Sequence, residues 1–141
     1  MPQIILENGP EQAVMGAVVG GLTAYNASQS NGDTPNYLVV SLRDDDGTVL
    51  GGLIGATYLG WLQVQAVWVS DALRGSGSGS GTALMRAAEE EAVRRGCPRV
   101  FLETLSFQAL PFYEKLGYRV HSSLPDFPPG GCRYALTKQL G

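Results

Sequence analysis

Seven residues of strictly alternating glycine and serine, Gly75 to Gly81, constrain the fold of this chain more than any other feature. Such a repeat is either a flexible spacer between two domains or a loop whose backbone approaches a ligand closely. A spacer needs a domain on each side, and either half of a 141-residue chain is at the lower limit for a stable core. The sequence therefore predicts a single domain over residues 1–141, with the repeat inside it.

Hydrophobic patterns on both sides of the repeat predict regular structure. Alternating or continuous apolar runs indicate strands, and apolar residues three or four apart indicate helices. We predict strands at residues 3–6, 37–43, 48–59, 61–69, 99–104, 118–123 and 132–138. We predict helices at residues 11–25, directly after the repeat, and at residues 108–117. The repeat thus joins a central strand to the helix of a crossover, where a disordered spacer would interrupt the fold.

The helix after the repeat has a predicted buried stripe and a predicted end. Small and apolar residues recur along one side, and the stripe consists of Leu84, Ala87, Ala88, Glu91 and Ala92. Gly96 is placed to end this helix in a left-handed conformation.

A glycine loop between a strand and a helix directs several backbone N–H groups and the positive end of the helix at one point. That arrangement favours an anion, phosphate above all. Glycines at 75, 77, 79 and 81 exclude the ATP-binding loop, which needs glycines five apart followed by lysine. They also exclude the dinucleotide fingerprint, which needs a gap of three. What remains is the pattern Arg-Gly-x-Gly-x-Gly, which starts at Arg74.

Two segments carry a resemblance to a known family. WVSDALRGSGSGSGTALMRAAEEEA, residues 68–92, resembles the pyrophosphate-binding motif of the GNAT family of N-acetyltransferases. FLETLSFQALPFYEKLGYRV, residues 101–120, resembles the strand and helix that follow in that family. The resemblance implies a mixed α/β fold in which helices flank a mostly antiparallel sheet with a splayed central strand pair. It also implies acetyl-coenzyme A as acetyl donor and an amine of a small molecule or peptide as acceptor. Relatives of this fold are often homodimers, but the sequence leaves the oligomeric state open.

The resemblance assigns residues to donor binding. Main-chain N–H groups are expected to bind the acetyl carbonyl at Val67 and the pantetheine arm at Val69, and Ser106, with Gln108 as substitute, is expected to bind pantetheine. The pyrophosphate ligands are expected among Arg74, Gly75, Gly77, Ser78, Gly79, Ser80, Gly81 and Thr82. Counting from the strand puts Arg74 in the family's arginine position, whereas counting from the helix puts Ser76 there. Arg74 is therefore either a pyrophosphate ligand or an ordinary surface residue.

The resemblance also implies the chemistry, in which the amine attacks the thioester directly. Tyr113 is the expected acid for the departing thiolate, and a packing tyrosine is the alternative. Its neighbours Phe112 and Leu116 are predicted to form the buried stripe of that helix. Glu103 is the first candidate for the base and Asp126 the second, although either carboxylate can instead be solvated or cap a turn. The acceptor pocket is expected to be lined by Tyr25, Asn26, Trp68, Phe107 and Asp126.

Composition bounds the alternatives. A net charge of −3 argues against nucleic-acid binding, and the apolar run at residues 14–22 is too short to span a membrane. Cys97 and Cys132 are expected to be reduced core residues of a cytoplasmic protein, and the lone His121 builds no metal site by itself. A domain that binds acyl-coenzyme A or a protein without turnover remains the alternative to an enzyme.

Overall fold

A computed structural model describes residues 1–74 and 77–141 of the chain. Their contacts divide them into two units, residues 1–34 and residues 35–141. The first unit contains helix α1 (Gln12–Gln29), which confirms the predicted helix and extends it by four residues. The strand predicted at residues 3–6 is wrong, because a strand requires a paired neighbour and these residues take part in no strand pairing. The single domain over residues 1–141 stays a prediction.

The second unit consists of a sheet and two helices. Within the part of the chain that is described, its strands are β1 (Asn36–Arg43), β2 (Val49–Tyr58), β3 (Trp61–Val69), β4 (Arg99–Leu105), β5 (Arg119–Pro125) and β6 (Cys132–Gln139). Its helices are α2 (Ser80–Arg94) and α3 (Leu110–Lys115). The other six predicted strands are therefore confirmed, with boundaries displaced by at most two residues.

The strands form one sheet in the order β1-β2-β3-β4-β6-β5. Neighbours run antiparallel except β3 and β4, which are parallel and are joined through α2. A parallel neighbour requires a crossover connection, and the glycine-rich repeat begins that crossover. The mixed, mostly antiparallel sheet with flanking helices confirms the expected fold class.

Helix α2 packs on β1, β2 and β3, and its buried face differs in part from the predicted stripe. Leu84, Ala88 and Ala92 are buried as expected. The remaining buried positions are Met85 and Glu89, whereas the predicted Ala87 and Glu91 are exposed and half-exposed. Glu91 instead forms ion pairs with Arg94 and Arg95 on the helix surface. The stripe is therefore rotated toward Glu89, whose burial the sequence did not indicate.

The end of α2 agrees with the sequence. Gly96 has φ +79°, and the N–H of Cys97 then donates to the carbonyl of Ala92 at 2.8 Å. Cys97 is buried and Cys132 half-buried, and both are free thiols. No helix in residues 1–74 and 77–141 is long and apolar enough to cross a membrane.

Candidate active site

The central parallel strands β3 and β4 separate along their length. Only three pairs join them, and the last pair is Gln63 with Phe101. Both strands continue beyond this point, β3 to Val69 and β4 to Leu105. Their separation follows a bulge on β3, because Val64 pairs with Gly55 and Ala66 with Ile54, which leaves Gln65 as an extra residue. The result is the splayed strand pair that the resemblance implied.

The register of β3 determines which of its N–H groups face the gap. Ser70 donates its N–H to the carbonyl of Leu50 on the β2 side at 2.8 Å. Successive residues of an antiparallel strand direct their N–H groups to alternate sides, so the N–H groups of Trp68 and Ala66 also face β2. Those of Val67 and Val69 face the opposite side, where β4 has separated. These are the two residues expected to bind the acetyl carbonyl and the pantetheine arm, and that role stays a prediction.

A cavity of about 590 Å³ opens at the gap. It brings together seven residues that the sequence assigned to the site, and these are Val67, Trp68, Val69, Arg74, Glu103, Phe107 and Tyr113. Trp68 and Phe107 are both more than half exposed, so their rings are accessible to a ligand. The volume is in the range of small-molecule sites.

Tyr113 lies in α3 and forms one wall of the cavity. Its ring is held edge-to-face between Phe112, with centroids 5.0 Å apart, and Tyr118, with centroids 5.9 Å apart. Tyr113 is buried whereas Phe112 and Leu116 are only half-buried, so the predicted buried stripe of α3 is wrong. The neighbouring rings bury Tyr113, and this burial raises the pKa of its hydroxyl. The phenol is therefore protonated at neutral pH and available as a proton donor.

Glu103 lines the same cavity from β4 and forms a two-pronged ion pair. The Nε and one terminal nitrogen of Arg133 each lie 2.8 Å from a carboxylate oxygen of Glu103. These hydrogen bonds lower the pKa of Glu103. The guanidinium also lies 4.8 Å from the ring centre of Phe127. Glu103 is consequently ionised at neutral pH, but its ion pair makes it a weaker base than a free carboxylate.

The glycine-rich loop enters α2 through a left-handed residue. Gly79 has φ +70° and precedes the first helical residue, Ser80. Ala83 is the first to bond within the helix, its N–H donating to the carbonyl of Gly79 at 2.9 Å. The N–H groups before it, those of Gly81 and Thr82 among them, belong to the end of the helix that attracts anions. Gly75 and Ser76 lie outside the described residues, so the expected contact of Gly75 with the pyrophosphate stays a prediction.

Two other residues of the loop region make contacts within the protein. The hydroxyl of Ser78 lies 3.2 Å from the carbonyl of Leu73 and 2.9 Å from the hydroxyl of Ser80. A Cβ at Gly81 would lie 3.2 Å from the ring of Phe112, so this glycine lets α2 and α3 approach closely. Glycine at 81 therefore has a packing reason in addition to any role with phosphate.

Arg74 lines the cavity and forms an ion pair with Asp71 on the surface. This pair leaves open both alternatives for Arg74, pyrophosphate ligand and surface residue.

Three predicted or substitute ligands have other partners. The hydroxyl of Ser106 accepts the N–H of Cys132 at 3.0 Å, and Ser106 does not line the cavity. Gln108 does line it, but its side-chain oxygen accepts the N–H of Leu105 at 2.7 Å. Asp126 closes its own turn by accepting the N–H of Gly130 at 3.2 Å, outside the cavity wall. Ser106 thus joins the end of β4 to the start of β6, whereas Gln108 and Asp126 each stabilise a turn.

Tyr25 and Asn26 lie in the last turns of α1, in the first unit. Their main-chain carbonyls accept the hydroxyls of Ser28 and Ser30. Their contribution to acceptor binding stays a prediction.

Comparisons with known proteins identify the family. Residues 14–118 match the model of the Acetyltransferase (GNAT) family. An acetyltransferase from Agrobacterium fabrum is 38% identical over 88% of this chain and 89% of its own. Blasticidin-S acetyltransferase from Streptomyces morookaense is 40% identical over 67% of this chain and 68% of its own. The chain belongs to the GNAT family of acetyltransferases.

A solved structure supports the same identification. The crystal structure of a protein from Agrobacterium tumefaciens, assigned as an acetyltransferase, is 33% identical to this chain and superposes with a TM-score of 0.90. The match covers 98% of this GNAT chain and 99% of the other. GNAT acetyltransferases use acetyl-coenzyme A, so the expected acetyl donor is confirmed.

Two features of this GNAT site were missed in the sequence. Arg133 reaches Glu103 because Leu105 pairs with Arg133 across β4 and β6, which makes Arg133 and Glu103 diagonal neighbours on one face. Gln65 marks the bulge only through the pairing of β3 with β2. Both features depend on how the strands pair with one another, and no local sequence pattern indicates that pairing.

Proposed function

We propose that this GNAT acetyltransferase transfers the acetyl group of acetyl-coenzyme A to an amine of a small molecule or peptide by direct attack on the thioester. The observation that carries the proposal is the gap between β3 and β4. It presents the N–H groups of Val67 and Val69 on one side and the hydroxyl-bearing ring of Tyr113 in the same cavity.

The oxyanion that develops on the thioester carbonyl needs fixed donors. The N–H of Val67 supplies one, and a backbone donor requires no reorganisation during the reaction. The N–H of Val69 binds the pantetheine arm, and the first turn of α2 binds the pyrophosphate. These donors belong to the scaffold, so substitutions of the Val67 and Val69 side chains test packing more than chemistry.

The thiolate of coenzyme A needs a proton as it departs. The phenol of Tyr113 supplies it, because a group with a raised pKa remains protonated throughout the neutral range. Solvent re-protonates the tyrosine after the product leaves. Tyr113 is thus the general acid of the proposal.

The attacking amine must lose a proton. For a lysine-like amine at pH 7 this costs about 4–5 kcal/mol, corresponding to roughly three pK units. Glu103 accepts that proton directly or through a water molecule. Because its pKa is lowered by Arg133, Glu103 is ionised before the amine arrives, and proton transfer depends on attack weakening the N–H bond.

Glu103→Gln is expected to lower kcat about tenfold, because the amide accepts no proton. In both enzymes the rate should increase with pH, because the attacking amine loses its proton over this range. Glu103 does not titrate there, because its pKa is lowered. Steady-state kinetics between pH 6 and about pH 9 measures both effects.

Arg133→Gln is the matched control for the base. It removes the cause of the lowered pKa but leaves Glu103 ionised at pH 7, so kcat should be retained or increase. A Glu103→Gln enzyme as active as the wild type would assign Glu103 to the ion pair alone.

The acceptor is tested with a panel of amines, with release of free thiol from acetyl-coenzyme A as the readout. Blasticidin S leads the panel because a relative 40% identical to this chain is named for it, followed by aminoglycosides, polyamines, amino acids and peptides. Thiol release that depends on one amine, together with equimolar acetylated product, supports the proposal. Coenzyme A binding with no turnover of any amine would favour the non-catalytic alternative. We also propose a cytoplasmic location for this protein, as expected from its two reduced cysteines.

A further inference from the structure

A buried carboxylate lies in α2 outside the cavity wall. Glu89 is only 9% exposed. One of its oxygens accepts the hydroxyl of Tyr118 at 2.7 Å, and both accept the ammonium of Lys138, at 3.1 and 3.2 Å. A buried charge is costly unless it is paired and hydrogen-bonded, and here two partners satisfy it.

These three residues, hereafter the Glu89 triad, come from three separate places in the chain. Glu89 is in α2, Tyr118 lies directly before β5, and Lys138 is in β6. The ammonium of Lys138 also lies 5.3 Å from the centre of the Tyr118 ring. The triad therefore connects α2 to the edge of the sheet and to the end of α3.

Tyr118 carries this connection to the active site. Its N–H donates to the carbonyl of Tyr113 at 3.1 Å, and the two rings meet edge-to-face at 5.9 Å. On its other side the Tyr113 ring contacts Phe112, which packs against Gly81 in the first turn of α2. Tyr113 thus lies between two rings, each of which is fixed by α2.

Stability alone does not account for the triad. Apolar residues of similar volume often stabilise a buried site as well as an ion pair does, so a buried charge is weak evidence for stability. The hydrogen bond from Tyr118 to Glu89 orients the Tyr118 ring, and this ring in turn contacts the ring of Tyr113. A displacement of about 1 Å in a reacting group can cost up to a hundredfold in rate.

We propose that Glu89 is a positioning residue for the reaction, which through Tyr118 holds the hydroxyl of Tyr113 at the cavity. The acetyltransferase reaction needs this hydroxyl at one place in the gap, and Glu89 touches neither the cavity nor the reacting atoms. The kinetic part of this inference rests on the proposed acid role of Tyr113.

Tyr118→Phe tests the proposal with little disturbance of the fold. Phenylalanine retains the ring, and Glu89 keeps its ion pair with Lys138. We expect kcat to fall about tenfold and the KM for acetyl-coenzyme A to stay within about twofold. In a Tyr113→Phe background the same change should have no further effect on kcat, because the group that it positions is absent. Tyr37→Phe, at an exposed position, is the matched control and should leave kcat unchanged.

Fluorine NMR of protein labelled with 3-fluorotyrosine gives a readout other than activity. The chain has six tyrosines, and the Tyr113 resonance is assigned by its loss in Tyr113→Phe. Tyr118→Phe should broaden or split that resonance, whereas Tyr37→Phe should leave it sharp.

An unchanged Tyr113 resonance in Tyr118→Phe would overturn the proposal, and so would a loss of kcat that persists in the Tyr113→Phe background. If Tyr113→Phe itself keeps the wild-type kcat, the acid role fails. The resonance then still decides whether Glu89 positions Tyr113.

Discussion

Tyr113→Phe should lower kcat about a hundredfold, within the usual range for loss of a general acid. Phenylalanine keeps the edge-to-face contacts with Phe112 and Tyr118, so little is removed except the hydroxyl. The KM for acetyl-coenzyme A should change only slightly, because the first turn of α2 is untouched and the lost interaction forms mainly in the transition state. Steady-state kinetics with any accepted amine measures the effect.

The pH dependence of this variant gives a second check. The protonated form of Tyr113 is the active one, so its activity is lost only as pH rises through its pKa. Burial raises that pKa above the ordinary value of a tyrosine, so the difference between wild type and variant should be constant from pH 6 to about pH 9. A variant with wild-type kcat would leave solvent as the proton donor and return Tyr113 to packing.

Gly79→Asn should weaken coenzyme A binding on the order of a hundredfold while the fold is retained. Gly79 has φ +70°, and asparagine adopts this conformation more readily than other side chains. Within residues 1–74 and 77–141, and apart from the two chain neighbours of Gly79, no atom lies within 4 Å of a Cβ placed there, so in the proposal this open space belongs to the pyrophosphate. Loss of two charge-assisted hydrogen bonds, each about 1.5 kcal/mol, corresponds to that change in affinity. Titration calorimetry at fixed salt measures it.

Gly47→Asn is the matched control. Gly47 also has positive φ and an open Cβ position, but it lies in the turn between β1 and β2. Its substitution should leave coenzyme A binding and thermal stability near those of the wild type. Valine is a poorer probe at Gly79, since a β-branched residue is strained at positive φ and would confuse lost binding with lost stability. Normal binding by Gly79→Asn would show that this loop does not hold the phosphates.

Local patterns predicted most of the fold. The alternation and apolar runs located β1 to β6, and the glycines at 79 and 96 lie at the start and end of α2 with positive φ. The segment at residues 3–6 failed because its apolar run is typical of a strand but has no partner, and pairing is not encoded locally. The buried face of α2 was predicted only in part for a similar reason, because the packing of α2 on β1, β2 and β3 decides which residues are buried.

The candidate site was likewise predicted only in part from the sequence. Val67, Glu103 and Tyr113 line one cavity, and each is found from its position within a recognisable strand or helix, while their roles stay predictions. Their electrostatic partners were not found. Arg133 and Lys138 lie 30 and 49 residues from the carboxylates that they pair with, so only the register of the sheet brings them together. Glu89 therefore resembled an ordinary surface residue in the sequence.

A crystal structure of the protein with acetyl-coenzyme A tests the central claim most directly. The account predicts that the acetyl group lies between β3 and β4, with its carbonyl oxygen about 3 Å from the N–H of Val67. It also predicts the pyrophosphate at the first turn of α2 and the sulfur beside the hydroxyl of Tyr113. Acetyl-coenzyme A bound with its thioester outside this gap, or with its pyrophosphate away from α2, would contradict the account.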